Sequence, residues 1–373
     1  MNITRRFALL SMTAFGTQLA RAGMSRGKVA FHYAAVFDEP KIDWYSRFRY
    51  LVTGAVLARD QTRRLLDRGC RLIAYEWSSG FYPRDWVSAE PAWQNTVMGR
   101  AREWLLNSQP SAGGAAMPGK TAYWYDFGNA DLRTSRAAYL AERLKTNGYS
   151  GIFLDTPGFE YLPADAQAAF TTRHPGVDYD RAQAAFFERL RYYMGQDKIL
   201  FLNQGYRHYE LFLPYADFDL TESYFTAASG DSTRFRAWHD PSAPWESIVT
   251  PLEQLVIPAS RRFPRVQFVH LGYAAGQPEQ ISRAVRYNYA AAKLWNHDAY
   301  LMAADARAEQ SDIYFANLGR PLTASYVQEA NKGVAWREFE GGIVALNSGS
   351  QSVSIMNGRY QLPDFPCGLV FLR

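Results

Sequence analysis

Apolar and polar positions along the chain follow two periods in turn. Short β-prone apolar runs recur at residues 29–36, 50–56, 71–77, 121–127, 151–157, 199–206, 218–224, 266–273 and 299–304. Helical patterns lie between them. The clearest run from Ala58 to Leu66 before Gly69, from Thr134 to Leu144 before Gly148, and from a capping Asp178 through Ala182, Phe186, Leu190 and Tyr193, on one face, to Gly195. Strand and helix in steady alternation call for parallel strands joined by crossovers. No glycine-rich nucleotide loop follows the first run, and polar residues gather at the C-terminal ends of many runs. The pattern therefore predicts an α/β fold, a (β/α)8 TIM-type barrel rather than an open doubly wound sheet. Nine runs compete for eight places, so either 50–56 or 121–127 is expected to be accessory.

The pattern changes near residue 322. From Gly333 onward there is no helical period, only alternating runs such as Val334-Ala335-Trp336-Arg337-Glu338-Phe339, with turns at Gly341-Gly342, Asn347-Ser348-Gly349 and Asn357-Gly358. This predicts a barrel over 23–322 and a small C-terminal antiparallel β-domain over 323–373. Residues 1–22 read differently again. Thr4-Arg5-Arg6-Phe7, a short apolar stretch to Phe15 and Ala20-Arg21-Ala22 are the parts of an export signal, and the paired arginines suggest the twin-arginine route. The stretch is too short for a permanent membrane anchor. The expected location of the mature chain is the periplasm or the exterior, without stable membrane insertion.

Charge and composition refine this picture in three ways. The formal charge of +5 falls to +2 once the three arginines of residues 1–22 are set aside, so no preference for nucleic acid or membrane follows from it. Cys70 and Cys367, the only cysteines, allow one disulfide but imply no framework; isolated buried thiols are the simpler reading. Aromatic residues make up 15% of the chain, enough either to fill a core or to present flat faces to sugar rings.

In a (β/α) barrel the reactive groups stand at the C-terminal ends of the strands. Gly151-Ile152-Phe153-Leu154-Asp155 leads three apolar residues to a carboxylate, Phe201-Leu202-Asn203 ends on an amide, and Leu220-Thr221-Glu222 ends on a second carboxylate. Asp155, Asn203 and Glu222 thus occupy corresponding places on three consecutive strands. Neighbouring strands lie about 4.8 Å apart, which lets the two acids face each other across a sugar-sized gap. Glycosidic hydrolysis needs such a pair, one to protonate the leaving oxygen and one to attack the anomeric carbon or activate water. Tyr75, Glu76 and Trp77 end another run and are candidate substrate contacts; if Tyr75 points inward, alternation turns Glu76 away. Asp126 is either a substrate contact or the cap of a helix beginning near Asp131. His32 and Tyr224 complete the candidate substrate-binding set. The histidines show no metal-ligand spacing and no paired cysteines join them, so neither a metal nor any other cofactor is expected. The absence of a Gly-x-Ser-x-Gly elbow and of a P-loop removes support for ester hydrolysis and phosphoryl transfer.

With these residues placed, the chain resembles the glycoside-hydrolase barrels around the bacterial endo-α-1,4-polygalactosaminidase family. The resemblance is carried by Leu65-Leu66-Asp67-Arg68-Gly69 before Ile73-Ala74-Tyr75, by Tyr125-Asp126-Phe127-Gly128-Asn129, by Gly148-Tyr149-Ser150-Gly151-Ile152-Phe153-Leu154-Asp155, by Asn203-Gln204-Gly205 and by Thr221-Glu222-Ser223-Tyr224-Phe225. In the tail it rests on Asn317-Leu318-Gly319-Arg320-Pro321-Leu322, Trp336-Arg337-Glu338-Phe339 and Gly342-Ile343-Val344-Ala345-Leu346-Asn347. It spans nearly all of the chain after residue 22 but is built of short motifs, and it departs from the pattern at Thr156, Ala345 and Ser348. It implies a polysaccharide substrate, α-linked and built of amino sugars, with Asp155 as nucleophile or base and Glu222 as acid. The competing expectations are a non-catalytic glycan-binding barrel and a metal-dependent deacetylase.

Overall fold

Eight of the nine apolar runs form one parallel sheet. The computed structural model describes residues 29–33, 39–54, 57–83, 91–112, 121–240, 242, 246–303, 309–329 and 333–372. Strands β1 (Val29–His32), β2 (Tyr50–Thr53), β3 (Arg71–Trp77), β4 (Gly151–Asp155), β5 (Ile199–Asn203), β6 (Phe218–Glu222), β7 (Gln267–Ala274) and β8 (Asp298–Ala303) hydrogen-bond in that order. Every pairing is parallel, and β8 returns beside β1. The result is a nearly closed (β/α)8 barrel.

The accessory run is Thr121–Trp124. It pairs antiparallel with Gly80–Phe81 and Ser111–Ala112 in a separate small sheet. Burial separates the two contenders: Tyr50–Thr53 is buried at all four positions, as a strand enclosed on both faces must be, whereas Thr121 is exposed and Tyr123 only half-buried.

The predicted helices are present with shifted ends. Ala130–Thr146 begins four residues before Thr134, where the helical pattern becomes clear, and Asn129, not Asp126, caps it, accepting from the N–H groups of Asp131 and Leu132. Asp178 caps Tyr179–Met194 as expected. The buried face of that helix continues from Leu190 to Met194, leaving Tyr193 exposed, since four residues return closer to the same face than three.

The barrel interior is largely aromatic. Phe31 of β1 lies 5.9 Å from Phe201 of β5, ring centre to ring centre, a contact between non-adjacent strands that only the interior permits. Phe153 packs on Phe201 at 5.1 Å, Phe201 on Phe218 at 5.1 Å, and Phe218 on Tyr50 at 5.3 Å. Much of the aromatic excess is therefore core, and this layer fixes which strand residues point inward: those two places beyond each phenylalanine do too.

Beyond the barrel, Val327–Glu329, Val334–Phe339, Gly342–Asn347 and Cys367–Leu372 form an antiparallel sheet, with a hairpin of Val353–Ile355 and Tyr360–Leu362 beside it. The sheet packs on helix Pro278–Leu294. The approach is closest at Gly368, where any Cβ would stand 2.5 Å from the Arg286 carbonyl oxygen. Cys70 and Cys367 are free and buried. The proposed export signal, residues 1–22, lies outside the described residues. Among the described residues, no helix is long and apolar enough to cross a membrane.

Candidate active site

Inward parity delivers Asp155, Asn203 and Glu222 to one place at the C-terminal mouth. Phe153, Phe201 and Phe218 lie in the aromatic layer, so Asp155, Asn203 and Glu222, at two, two and four residues further on, project from the same side of their strands. Asn203 Nδ2 donates to Asp155 Oδ1 at 2.7 Å and to Glu222 Oε2 at 2.7 Å. A single amide nitrogen thus holds both acids. Two bonds of 2.7 Å to one atom keep the accepting oxygens at most about 5.4 Å apart. The Asn203 carbonyl Oδ1 is buried and meets no donor among the described residues.

Each acid has a tyrosine of its own. The Tyr75 hydroxyl donates to Asp155 Oδ2, and the Tyr273 hydroxyl donates to Glu222 Oε1. Neither acid makes an ion pair among the described residues.

The electrostatics of the two acids differ. Burial raises the Asp155 carboxyl above its ordinary value, but hydrogen bonds from Tyr75, Asn203 and the Thr156 backbone all favour its ionised form. Glu222 is raised to about 7, first by burial and then by the charge of Asp155, against the hydrogen bonds of Tyr273 and Asn203. One acid is better furnished to stay ionised and the other to keep a proton, which is the division of labour that acid–base chemistry on an acetal requires.

The backbone turns sharply after all three residues. Thr156, Gln204 and Ser223 have φ of 45°, 61° and 59°, left-handed values at non-glycine positions. Such a conformation costs about 1–2 kcal/mol per residue, and fixed contacts hold it. The Trp77 indole donates to Thr156 Oγ1 at 2.9 Å and Ser79 Oγ to the Thr156 carbonyl at 3.1 Å. The Gln204 and Ser223 amides each donate at 2.8 Å to a neighbouring strand, to the carbonyls of Leu220 and Leu271. Behind Asn203, the buried carboxylate of Asp219 accepts from the amides of Gly205 and Tyr206, fixing the turn that follows β5.

The remaining predicted residues divide. Tyr75 is at the site, and Trp77 stands level with Asp155 in the strand register, its ring stacked on Tyr82 at 4.7 Å. Tyr224 is on the loop after β6, where its hydroxyl shares a 2.8 Å hydrogen bond with Tyr206. Glu76 is not in the mouth. It points to the outer wall, buried and paired with Arg136 and Arg143 of helix Ala130–Thr146. Tyr75 faces inward, and alternation alone sends Glu76 the other way. His32 is also turned out between two inward rings, Phe31 and Tyr33, and bonds the Tyr45 hydroxyl at 3.2 Å. Asp126 neither caps a helix nor faces the mouth. Its buried carboxylate accepts from Arg173 at 2.8 Å and pairs with His174 at 2.8 Å, joining its loop to helix Ala164–Arg173.

Two site residues went unrecognised in the sequence, Tyr33 and Tyr273. Both lie two places beyond inward residues and within the apolar runs 29–36 and 266–273, so applying strand parity inside those runs would have flagged them. The fold also gathers Glu160, Asp180 and His208, whose nearest ligand atoms lie within 4.8 Å of one another. They come from three separate segments, which is why spacing along the chain could not find them. His208 Nε2 lies 2.9 Å from Glu160, and Asp180 also accepts from the Phe159 amide. The neighbouring acids raise the His208 pKa, the hydrogen bond to Glu160 foremost, against the opposing effect of burial.

A nearly closed (β/α)8 barrel thus presents two acids on one amide at its C-terminal mouth, the end where barrels of this kind carry their reactive groups. The solved structures it resembles include the glycoside hydrolase domain of PelA from Pseudomonas aeruginosa, at a TM-score of 0.52 and 20% identity over 75% of this chain and 95% of that one. A cyclic α-maltosyl-(1→6)-maltose hydrolase from Arthrobacter globiformis matches at 0.51 and 12% identity, over 89% of each chain. An α-amylase from Geobacillus thermoleovorans, complexed with acarbose, matches at 0.51 and 8% identity over 93% of this chain and 96% of that one. Likeness at these identities establishes the shared barrel fold. No family model and no curated protein matches the sequence.

Proposed function

We propose that the protein is a glycoside hydrolase acting on a polysaccharide, with Asp155 as nucleophile and Glu222 as general acid. The observation that carries the reading is the Asn203 amide nitrogen bonded at 2.7 Å to a carboxyl oxygen of each acid. Retaining enzymes place their carboxyl groups about 5–5.5 Å apart, and inverting enzymes about 6.5–9.5 Å apart to admit a water. The bridge through one nitrogen supports the shorter class and hence retention. Asp155 would attack the anomeric carbon while the leaving oxygen takes the Glu222 proton; a water, deprotonated by Glu222, would then release the sugar from Asp155.

Two acids with no ion pair among the described residues favour a substrate that brings positive charge over one that brings negative charge. This agrees with the α-linked amino-sugar polymer implied by the sequence resemblance, found outside the cell or in its envelope. The test is incubation with an α-1,4-linked galactosamine polymer and, separately, an α-glucan, with new reducing ends measured over time. Asp155→Asn is expected to abolish cleavage while still retaining the glycan. Undiminished turnover in that variant would sink the assignment, and wild-type retention without cleavage would favour the binding protein.

A further inference from the structure

Tyr33 follows β1 immediately and stands on the inward face set by Phe31, one layer nearer the mouth. Its ring lies 5.0 Å from that of Tyr75, whose hydroxyl holds Asp155, and 6.0 Å from Phe153. Around the acids, the phenols of Tyr75 and Tyr273 are each committed to a carboxylate. The Tyr33 hydroxyl is buried and has no hydrogen-bond partner among the described residues. It lies close enough to Tyr273, Glu222, Asp155 and Tyr75 for all four to act on its ionisation.

A buried donor with nothing to donate to is a net cost to the folded protein. Removing one oxygen from the ring would lift that cost and leave the packing intact. The position of this hydroxyl on a ring packed against Tyr75, the tyrosine that holds Asp155, gives it a different use. We infer that Tyr33 is a further substrate-contacting residue, its hydroxyl reserved for a hydroxyl oxygen of the sugar whose glycosidic bond is cleaved. This rests on the hydrolase reading above and adds a residue to it. The contact is a hydrogen bond from a neutral phenol, with no proton transferred. Bonds of this kind to the reacting ring tighten as it flattens toward the oxocarbenium-like transition state.

The variant that isolates the hydroxyl is Tyr33→Phe, assayed on the galactosamine polymer beside the wild type, with a thermal melt of each. The expected result is a fall in kcat/KM of about tenfold, carried mainly by kcat, at a Tm equal to or above that of the parent. The pH profile should keep its shape, because Tyr33 bonds neither acid. Three results would overturn the inference: parent kcat/KM in Tyr33→Phe, a loss of activity accompanied by a lower Tm, or a displaced pH profile. Tyr33→Leu, which also removes the ring, should lose both activity and stability; parent activity there would be equally fatal. If the wild type cleaves neither the polymer nor the α-glucan, the functional reading falls and this one with it. Wild-type cleavage with an unaffected Tyr33→Phe removes this inference alone.

Discussion

Glu222→Gln should make the protein more stable at alkaline pH while removing its activity. In the folded chain the Glu222 carboxyl sits at about 7 against an ordinary 4.5, because burial and the Asp155 charge disfavour the carboxylate. That displacement corresponds to about 3 kcal/mol. The unfolded chain releases this proton near its ordinary value, while the folded chain holds it until about 7. The stability contributed by protonated Glu222 is therefore fully present below the ordinary value and is lost as pH rises through the folded one. Glutamine cannot ionise and escapes the loss. Its amide nitrogen, however, cannot accept one of the two hydrogen bonds that Asn203 and Tyr273 donate, which offsets about 1 kcal/mol. The variant should thus be more stable by about 2 kcal/mol at pH 8, and less stable by about 1 kcal/mol at pH 4. For a chain of this length, 2 kcal/mol is a rise in Tm of roughly 3 °C. Thermal melts of both proteins between pH 4 and pH 8 measure the difference. A gap in Tm that stays constant across that range, or that favours the wild type increasingly as pH rises, would refute the electrostatic account of Glu222.

Two other outcomes follow from named contacts. Activity should decline as pH rises through about 7, where Glu222 loses its proton, and Tyr273→Phe should move that decline to higher pH, because the lost hydrogen bond favoured the ionised form; a pH–kcat profile reads both. Glu76→Ala leaves Arg136 and Arg143 buried against an apolar wall without their carboxylate, so denaturant titration should show a loss of about 3–5 kcal/mol, whereas the same change at a catalytic position would leave the fold standing.

The sequence by itself determined the alternation of parallel strands and helices, that one of two runs, 50–56 or 121–127, had to be accessory (burial across the fold chose 121–127), the change to β-structure in the tail, and Asp155, Asn203 and Glu222 as a set at strand ends. These are local properties. Period, capping and the last residue of a run are written in consecutive positions, and a barrel converts strand ends into one mouth by topology alone. What tertiary structure decided is everything that depends on which face a residue takes and on what it meets across the fold. Tyr75 and Glu76 are neighbours in the chain, yet one holds Asp155 and the other is locked in the outer wall, because a strand reverses its side chains at each step. Asp126 looked like a cap or a contact until His174 and Arg173, nearly fifty residues away, were brought to it. The tyrosines at 33 and 273 carry no motif; only closure of the sheet sets them around the acids. The same closure removes the acids from water and gives them a shared amide, and from that come the raised pKa of Glu222 and the hydrogen bonds that favour the ionised form of Asp155.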